Sequence, residues 1–352
     1  MGEEANGVLK CVSVIGGGVF GSTIALLLAK NADEVIIFSR RKEFVDQINS
    51  GRHVPHIGIN KKIKASYEPN EVAEKCSLIF PVLSSAGFRS AMRTFSPHLK
   101  PSHILIHGTK GLDVQNTTEE ELTGKNISRA LVRTMSEVIM EETNVLRIGC
   151  LAGPNLAKEI LDGQPTATVI ASEFDEVVEL GQRALSSDQF FVFGSKDIIG
   201  AELAGTFKNI LAIGSGLLNG KGYGRNMQAM LITRGLREII YFGKAMGSSS
   251  HAFLGTAGIG DIFATCTSEN SRNFQVGSRL GKGETLQQIL ESMDEVAEGI
   301  RTLKIARQLG KYHQVHSPIT NLLYSVVFEG YDFDRAVNYL MRYPFAPDVD
   351  FL

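Results

Sequence analysis

A β-branched run, Cys11-Val-Ser-Val-Ile15, leads straight into Gly16-Gly-Gly-Val-Phe-Gly21. An apolar helical pattern follows at 22–30 (STIALLLAK), then a second β-branched run, Val35–Phe38. Few stretches constrain a fold as tightly. Strand, G-x-G-x-x-G, helix and strand in that order form the βαβ unit that cradles a dinucleotide. Gly16 permits the tight turn, Gly18 lets backbone approach a pyrophosphate, and Gly21 lets the helix pack on the strand. The helix N-terminus then offers free N–H groups and a positive dipole to phosphates. A glycine-rich turn without a ligand is the plainer reading, and the strands on both sides argue against it.

About 20 residues beyond such glycines, an acidic residue would bond both ribose hydroxyls and favour NAD. This chain has Ser39-Arg40-Arg41 there. Two guanidiniums and a hydroxyl suit a 2′-phosphate, so NADP is admissible beside NAD. Two solvated arginines opening a helix is the other reading. The alternation continues with strands at Leu78–Phe80, ended by Pro81, and at His103–His107, Ile148–Leu151, Thr166–Ala171 and Phe190–Phe193. Helical patterns separate them at Ala86–Phe95, up to Leu161 and at Phe174–Leu185. This predicts a largely parallel sheet with helices on both faces, and ligands at the carboxyl ends of its strands. Lys110 and Asn155 each follow a strand on that edge, although Lys110 could be an ordinary turn lysine.

From about Asp197 the period changes and strand-like runs vanish. The expected architecture is α/β: an N-terminal Rossmann-like doubly wound sheet over 1–195, then an all-α C-terminal domain over 196–352. Gly200–Arg237 opens the second part as buried helix. Ala201, Ala204, Gly205, Lys208, Ala212 and Ser215 recur at spacings of three and four, so they share one face. Lys208 is the one cation on that face. Burial lowers a lysine's pKa toward the range where it exchanges a proton. A lysine snorkelling at the rim of a packed helix would look the same. Gly255–Gly281 is a second dense stretch. Ser271-Arg272-Asn273 offers a hydroxyl, a guanidinium fork and an amide, a competent phosphate grip or else a capped helix start. Asp261 could pair with Lys208, or cap a helix. Asp294–Leu309 reads as an amphipathic helix closed by Gly310, and Ser317-Pro318 starts another. His313 and His316 read as surface residues.

Composition narrows the partners. The formal net charge of −2 offers no bulk attraction to nucleic acid or to an acidic membrane. No apolar run is long enough for stable membrane insertion. The four cysteines include no CxxC pair, and no metal-ligand spacing or nucleophile–base arrangement is visible. The acidic start MGEEANG carries no signal-like apolar core. A reducing compartment is expected.

Taken together, GGGVFG at 16–21, TKGL at 109–112, GPNLAKE at 153–159, GAELAGTFKNILAIGSGL at 200–217, ITRGL at 232–236, GIGD at 258–261, TCTSENSRNFQVGSRLGKG at 265–283 and VAEG at 296–299 resemble the NAD(P)-dependent glycerol-3-phosphate dehydrogenases. The resemblance runs from Val12 to about Gly330. It implies reversible reduction of dihydroxyacetone phosphate to sn-glycerol 3-phosphate, supplying a glycerolipid precursor, by a cytoplasmic homodimer using NAD or NADP. It assigns the general acid/base role to Lys208, with Lys110, Asp261, Asn209 and Thr265 in the same site. Ser271, Arg272 and Asn273 would hold the substrate phosphate, and Gly153 and Asn155 match a substrate-side loop. Val19, Phe20, Arg40, Lys110, Ala157, Arg272, Val296 and Glu298 match cofactor contacts, beside Gly16, Gly18 and Gly21. Asn155 and Phe20 stand where many bacterial members carry Ser and Trp. The proline of Phe80–Ser85 is also unexpectedly placed. Two other readings remain: a related β-hydroxyacid dehydrogenase of the 6-phosphogluconate type, and a non-catalytic module that senses NAD(P)H.

Overall fold

A computed structural model describes residues 9–115, 117–118, 121–124, 127–293 and 297–342. Its strands are β1 (Leu9–Ile15), β2 (Ala32–Phe38), β3 (Ile63–Ser66), β4 (Leu78–Pro81), β5 (Ile104–His107), β6 (Asp113–Val114), β7 (Val132–Arg133), β8 (Arg147–Ala152), β9 (Thr166–Ala171) and β10 (Phe190–Ser195). The chain divides into two compact units. One comprises Met1–Thr109 with Met135–Ile198, and the other comprises Lys110–Thr134 with Ile199–Leu352.

The first unit is built on one eight-stranded sheet in the order β10-β9-β8-β5-β4-β1-β2-β3. The order reverses between β1 and β4, the arrangement that opens a ligand crevice at the carboxyl ends of the strands. Val12, Val14, Ile37, Phe80 and Ile106 from the strands and Leu28 from the first helix form the core around it. Every pairing in the sheet is parallel except β8 with β9. A parallel return needs a crossover that traverses the sheet. Between Ala152 and Thr166 the only helix is the five-residue Ala157–Leu161, so the strand turns back instead.

The first βα turn follows the glycine logic. Gly16 has φ +129°, and an added Cβ would overlap the carbonyl of Val82. A Cβ at Gly21 would overlap the Gly16 carbonyl, whereas one at Gly18 would meet nothing within 4 Å. Gly18 thus stands beside open space. It is the N-cap of helix Val19–Asn31 without a side-chain cap, and no acidic residue lies in the first turn. Free N–H groups of that kind suit an anion.

Among the described residues, the second unit is helical apart from the short antiparallel β6–β7 pair. Helix Ile198–Gly220 runs through its centre and is buried on every side from Ile198 to Leu218, apart from Ile199 at its rim. Two helices can meet at backbone distance only where side chains are missing. A Cβ at Gly216 would overlap the Phe274 carbonyl, and one at Gly277 the Ile213 carbonyl. Helix Arg272–Gly281 therefore lies directly against helix Ile198–Gly220. Gly310 does not close its helix as expected, since Glu298–Tyr312 continues two residues beyond it. There Gly310 faces the Ser317 hydroxyl and the Phe242 ring, so its small size serves packing rather than termination. No helix among the described residues is long and apolar enough to cross a membrane.

Helix Pro318–Phe328 starts after Ser317, whose side chain makes no cap. The capping group comes from helix Arg225–Ala245. The buried Glu238 carboxylate accepts from Ile319 N (2.6 Å), Thr320 N (3.0 Å) and the Thr320 hydroxyl (2.8 Å). Glu238→Ala would strand three buried donors, each costing about 1–3 kcal/mol. The expected result is a fall in Tm on the order of 10 °C in a thermal melt. Glu238→Gln, which keeps one acceptor, should fall between.

Candidate active site

The site of the helical unit is built from four side chains on three segments. Lys208 lies midway along helix Ile198–Gly220, and Asp261 opens helix Asp261–Thr267 after a wide π turn at Thr256–Gly260. Thr265 lies one turn further on the same helix, so it shares a face with Asp261. The Ser215 hydroxyl, two turns beyond Lys208 on its face, donates to the Cys266 carbonyl at 2.7 Å and ties the two helices together. Lys110 follows β5 on a loop whose next residues are anchored by Arg301, which donates to the Leu112 carbonyl. The Lys110 alkyl chain lies across the central helix at Gly205, where an added Cβ would meet it in ordinary contact at 3.7 Å.

These placements converge on one carboxylate. Lys208 Nζ donates to Asp261 Oδ1 and to Thr265 Oγ1 (2.6 Å), and Lys110 Nζ donates to Asp261 Oδ2 at 2.8 Å. Lys208 and Asp261 are almost wholly buried, while the Lys110 side chain is 22% exposed. Two ammonium groups on one carboxylate leave a net positive charge. Burial lowers the Lys208 pKa from its ordinary value to about 7; Lys110 pushes the same way and Asp261 opposes it. A buried lysine close to neutrality, held by a carboxylate and a hydroxyl, can both give and take a proton. A surface lysine with the same sequence neighbours could not.

Close by in the same unit, the Ser271–Asn273 segment forms a helix N-terminus. The Ser271 hydroxyl accepts from Phe274 N at 3.3 Å, so Ser271 is indeed a cap, and its own proton stays available to a ligand. Arg272 is exposed on the first turn. Asn273 is buried and accepts from Gly299 N at 2.9 Å. Asn209, also buried, borders Gly299 through its carbonyl. Glu298 opens helix Glu298–Tyr312. Val296 lies outside the described residues.

The remaining expected residues belong to the sheet unit. Gly16, Gly18, Val19, Phe20 and Gly21 form the turn and first helix. Arg40 is exposed just past β2, whereas Arg41 is tied to the Gly17 carbonyl (2.7 Å) and lies over the Phe44 ring. Gly153 follows β8, and Ala157 begins the short helix. Asn155 Nδ2 donates to Thr168 Oγ1 at 2.9 Å, while its Oδ1 is buried without a hydrogen-bond partner among the described residues. Sequence reasoning left Arg301 and Gly299 without a role. Gly299 closes the VAEG segment, which is a signal; nothing marked Arg301.

Comparison with known proteins places the chain. Residues 11–178 match the N-terminal, and residues 197–338 the C-terminal, family of NAD-dependent glycerol-3-phosphate dehydrogenase. The chain belongs to that family. A glycerol-3-phosphate dehydrogenase [NAD(P)+] of Teredinibacter turnerae is 35% identical over 343 residues, covering 96% of each chain. One from Pseudomonas aeruginosa is 37% identical, covering 97% of each. The crystal structure of glycerol-3-phosphate dehydrogenase from Coxiella burnetii superposes with a TM-score of 0.84 at 27% identity, covering 96% of this chain and all of that one. Family membership does not favour the 6-phosphogluconate-type or sensor readings.

Proposed function

We propose that this chain reversibly reduces dihydroxyacetone phosphate to sn-glycerol 3-phosphate with NAD(P)H, with Lys208 moving the proton. The observation that carries the role of Lys208 is its burial between Asp261, Thr265 and, through Asp261, Lys110. Bound NAD(P)H supplies the hydride. The open Gly18 turn and the uncapped helix behind it fit its pyrophosphate. Negative charge then develops on the former carbonyl oxygen. The Lys208 ammonium stabilises that charge and delivers its proton, and Lys110 adds positive potential. Asp261 fixes the direction of both amines, and the Thr265 hydroxyl orients Lys208. In the reverse direction the neutral Lys208 amine takes the hydroxyl proton. Arg272, Ser271 and Asn273 grip the substrate phosphate, whose binding energy orients the ketone. Asn209, Gly153 and Asn155 complete the substrate side. Val19, Phe20, Ala157, Val296 and Glu298 belong with Gly16, Gly18 and Gly21 to the cofactor side. On this reading most of the cofactor residues fall in 1–195 and most of the substrate residues in 196–352, and the chain works as a cytoplasmic homodimer.

The test is the change in reduced-nicotinamide absorbance with dihydroxyacetone phosphate, run with NADH and NADPH in parallel. No turnover with either would overturn the assignment, and 6-phosphogluconate serves as the control substrate. Arg40 is the exposed guanidinium on which a 2′-phosphate would land, since Arg41 is engaged with Gly17. Arg40→Ala should therefore raise KM for NADPH roughly tenfold or more and leave KM for NADH within about twofold. Equal effects on both cofactors would remove Arg40 from the 2′-position.

A further inference from the structure

We infer that Gly299 is a positioning residue for the substrate phosphate: its bare backbone fixes the Asn273 amide so that the two Nδ2 protons remain for the ligand. The inference rests on the reading above in which Asn273 holds that phosphate. An N–H can only donate, so the end of the Asn273 amide that meets Gly299 N at 2.9 Å must be oxygen. The amide orientation is thereby decided by chemistry. Nδ2 makes no hydrogen bond among the described residues, so it is left as a donor.

The reason lies at a helix start. The first N–H groups of helix Glu298–Tyr312 need acceptors, and its N-cap Ala297 has none to offer. Asn273 supplies one from the neighbouring helix. A side chain at 299 would prevent this. Its Cβ would stand 2.6 Å from Asn273 Oδ1, 2.8 Å from the Asn209 carbonyl and 2.9 Å from Ile213 Cδ1. The Asn209 carbonyl belongs to the buried Lys208 helix and has little freedom to retreat. The amide of Asn273, a side chain on the first turn of its own helix, is the part that gives way. Glycine at 299 thus couples the start of one helix to the anion grip at the start of another.

The experiment compares dihydroxyacetone phosphate with unphosphorylated dihydroxyacetone in Gly299→Ala, Asn273→Ala and the double variant. Gly299→Ala should lower kcat/KM for the phosphorylated ketone roughly tenfold or more, the worth of a hydrogen bond to a charged group. For the unphosphorylated ketone it should stay within about twofold. Adding Gly299→Ala to Asn273→Ala should cost little more, because both act through one amide. Equal losses on both substrates would point to displacement of the Lys208 helix and overturn the inference, as would penalties that multiply in the double variant. If Asn273→Ala itself leaves use of the phosphorylated ketone unchanged, the phosphate reading fails first and takes the inference with it. Should Gly299→Ala not fold, Asn273→Asp decides. It keeps an acceptor for Gly299 N, removes Nδ2 and adds a charge that repels phosphate, so Tm should hold while use of the phosphorylated ketone falls at least as far as in Asn273→Ala. Normal turnover in Asn273→Asp would overturn the inference.

Discussion

Lys208→Ala is expected to lower kcat for reduction of dihydroxyacetone phosphate by at least ~10³-fold, the combined worth of a proton donor and a charge facing the developing alkoxide. Cofactor binding, followed by nicotinamide fluorescence, should change little, because the glycine turn belongs to the other unit. The fold should survive, since Asp261 keeps Lys110 at 2.8 Å. Near-normal turnover would dismiss Lys208 from the chemistry. The pH dependence gives a second handle. Burial lowers the Lys208 pKa to about 7. Ketone reduction needs the ammonium, so its rate should fall as pH rises through that value. Alcohol oxidation needs the free amine and should fall as pH drops through it. Asp261 raises the Lys208 pKa, so Asp261→Asn should move both limbs to lower pH. Limbs that stay in place would mean another group sets them.

Arg272→Ala should cut kcat/KM for the phosphorylated ketone by about 100-fold or more. A guanidinium can meet a phosphate with two parallel charge-assisted bonds, each worth roughly 1.5–3 kcal/mol. Arg272→Lys should recover only part, because a point charge cannot reproduce the fork. The unphosphorylated ketone should be used as poorly by the variant as by the unaltered protein. Ser271 caps that helix with its own hydroxyl, so the helix start should remain in the variant. A variant that discriminates the two ketones as well as the parent would show that the phosphate is held elsewhere.

Local signals explain why much of this was legible beforehand. The βα alternation was legible because strands of a covered parallel sheet read as short unbroken apolar runs, and the helical patterns between them have a different period. Gly16 and Gly21 were readable because their turn tolerates no Cβ. Ser271-Arg272-Asn273 was readable as a capped helix start. Long-range matters were not. The reversal of β9 against β8 depends on where a connection with one short helix can go, and no residue type encodes that. The end of the Glu298–Tyr312 helix passed Gly310 because tertiary packing overrode a local stop signal. Residues 110–134 pack with the helical unit although they sit between strands of the sheet. Glu238 capping a helix 80 or so residues away is equally invisible.

By itself the order of residues determined a dinucleotide turn, a sheet unit and a helical unit, since glycine geometry and hydrophobic period act over a few neighbours. It nominated Lys208 but could not separate a buried, paired amine from a lysine snorkelling at a helix rim. Only the tertiary structure decided that. Folding brings the carboxylate of Asp261, the hydroxyl of Thr265 and the charge of Lys110 together around one desolvated amine. Charge–charge and burial energies depend on distances in space, which the sequence does not state.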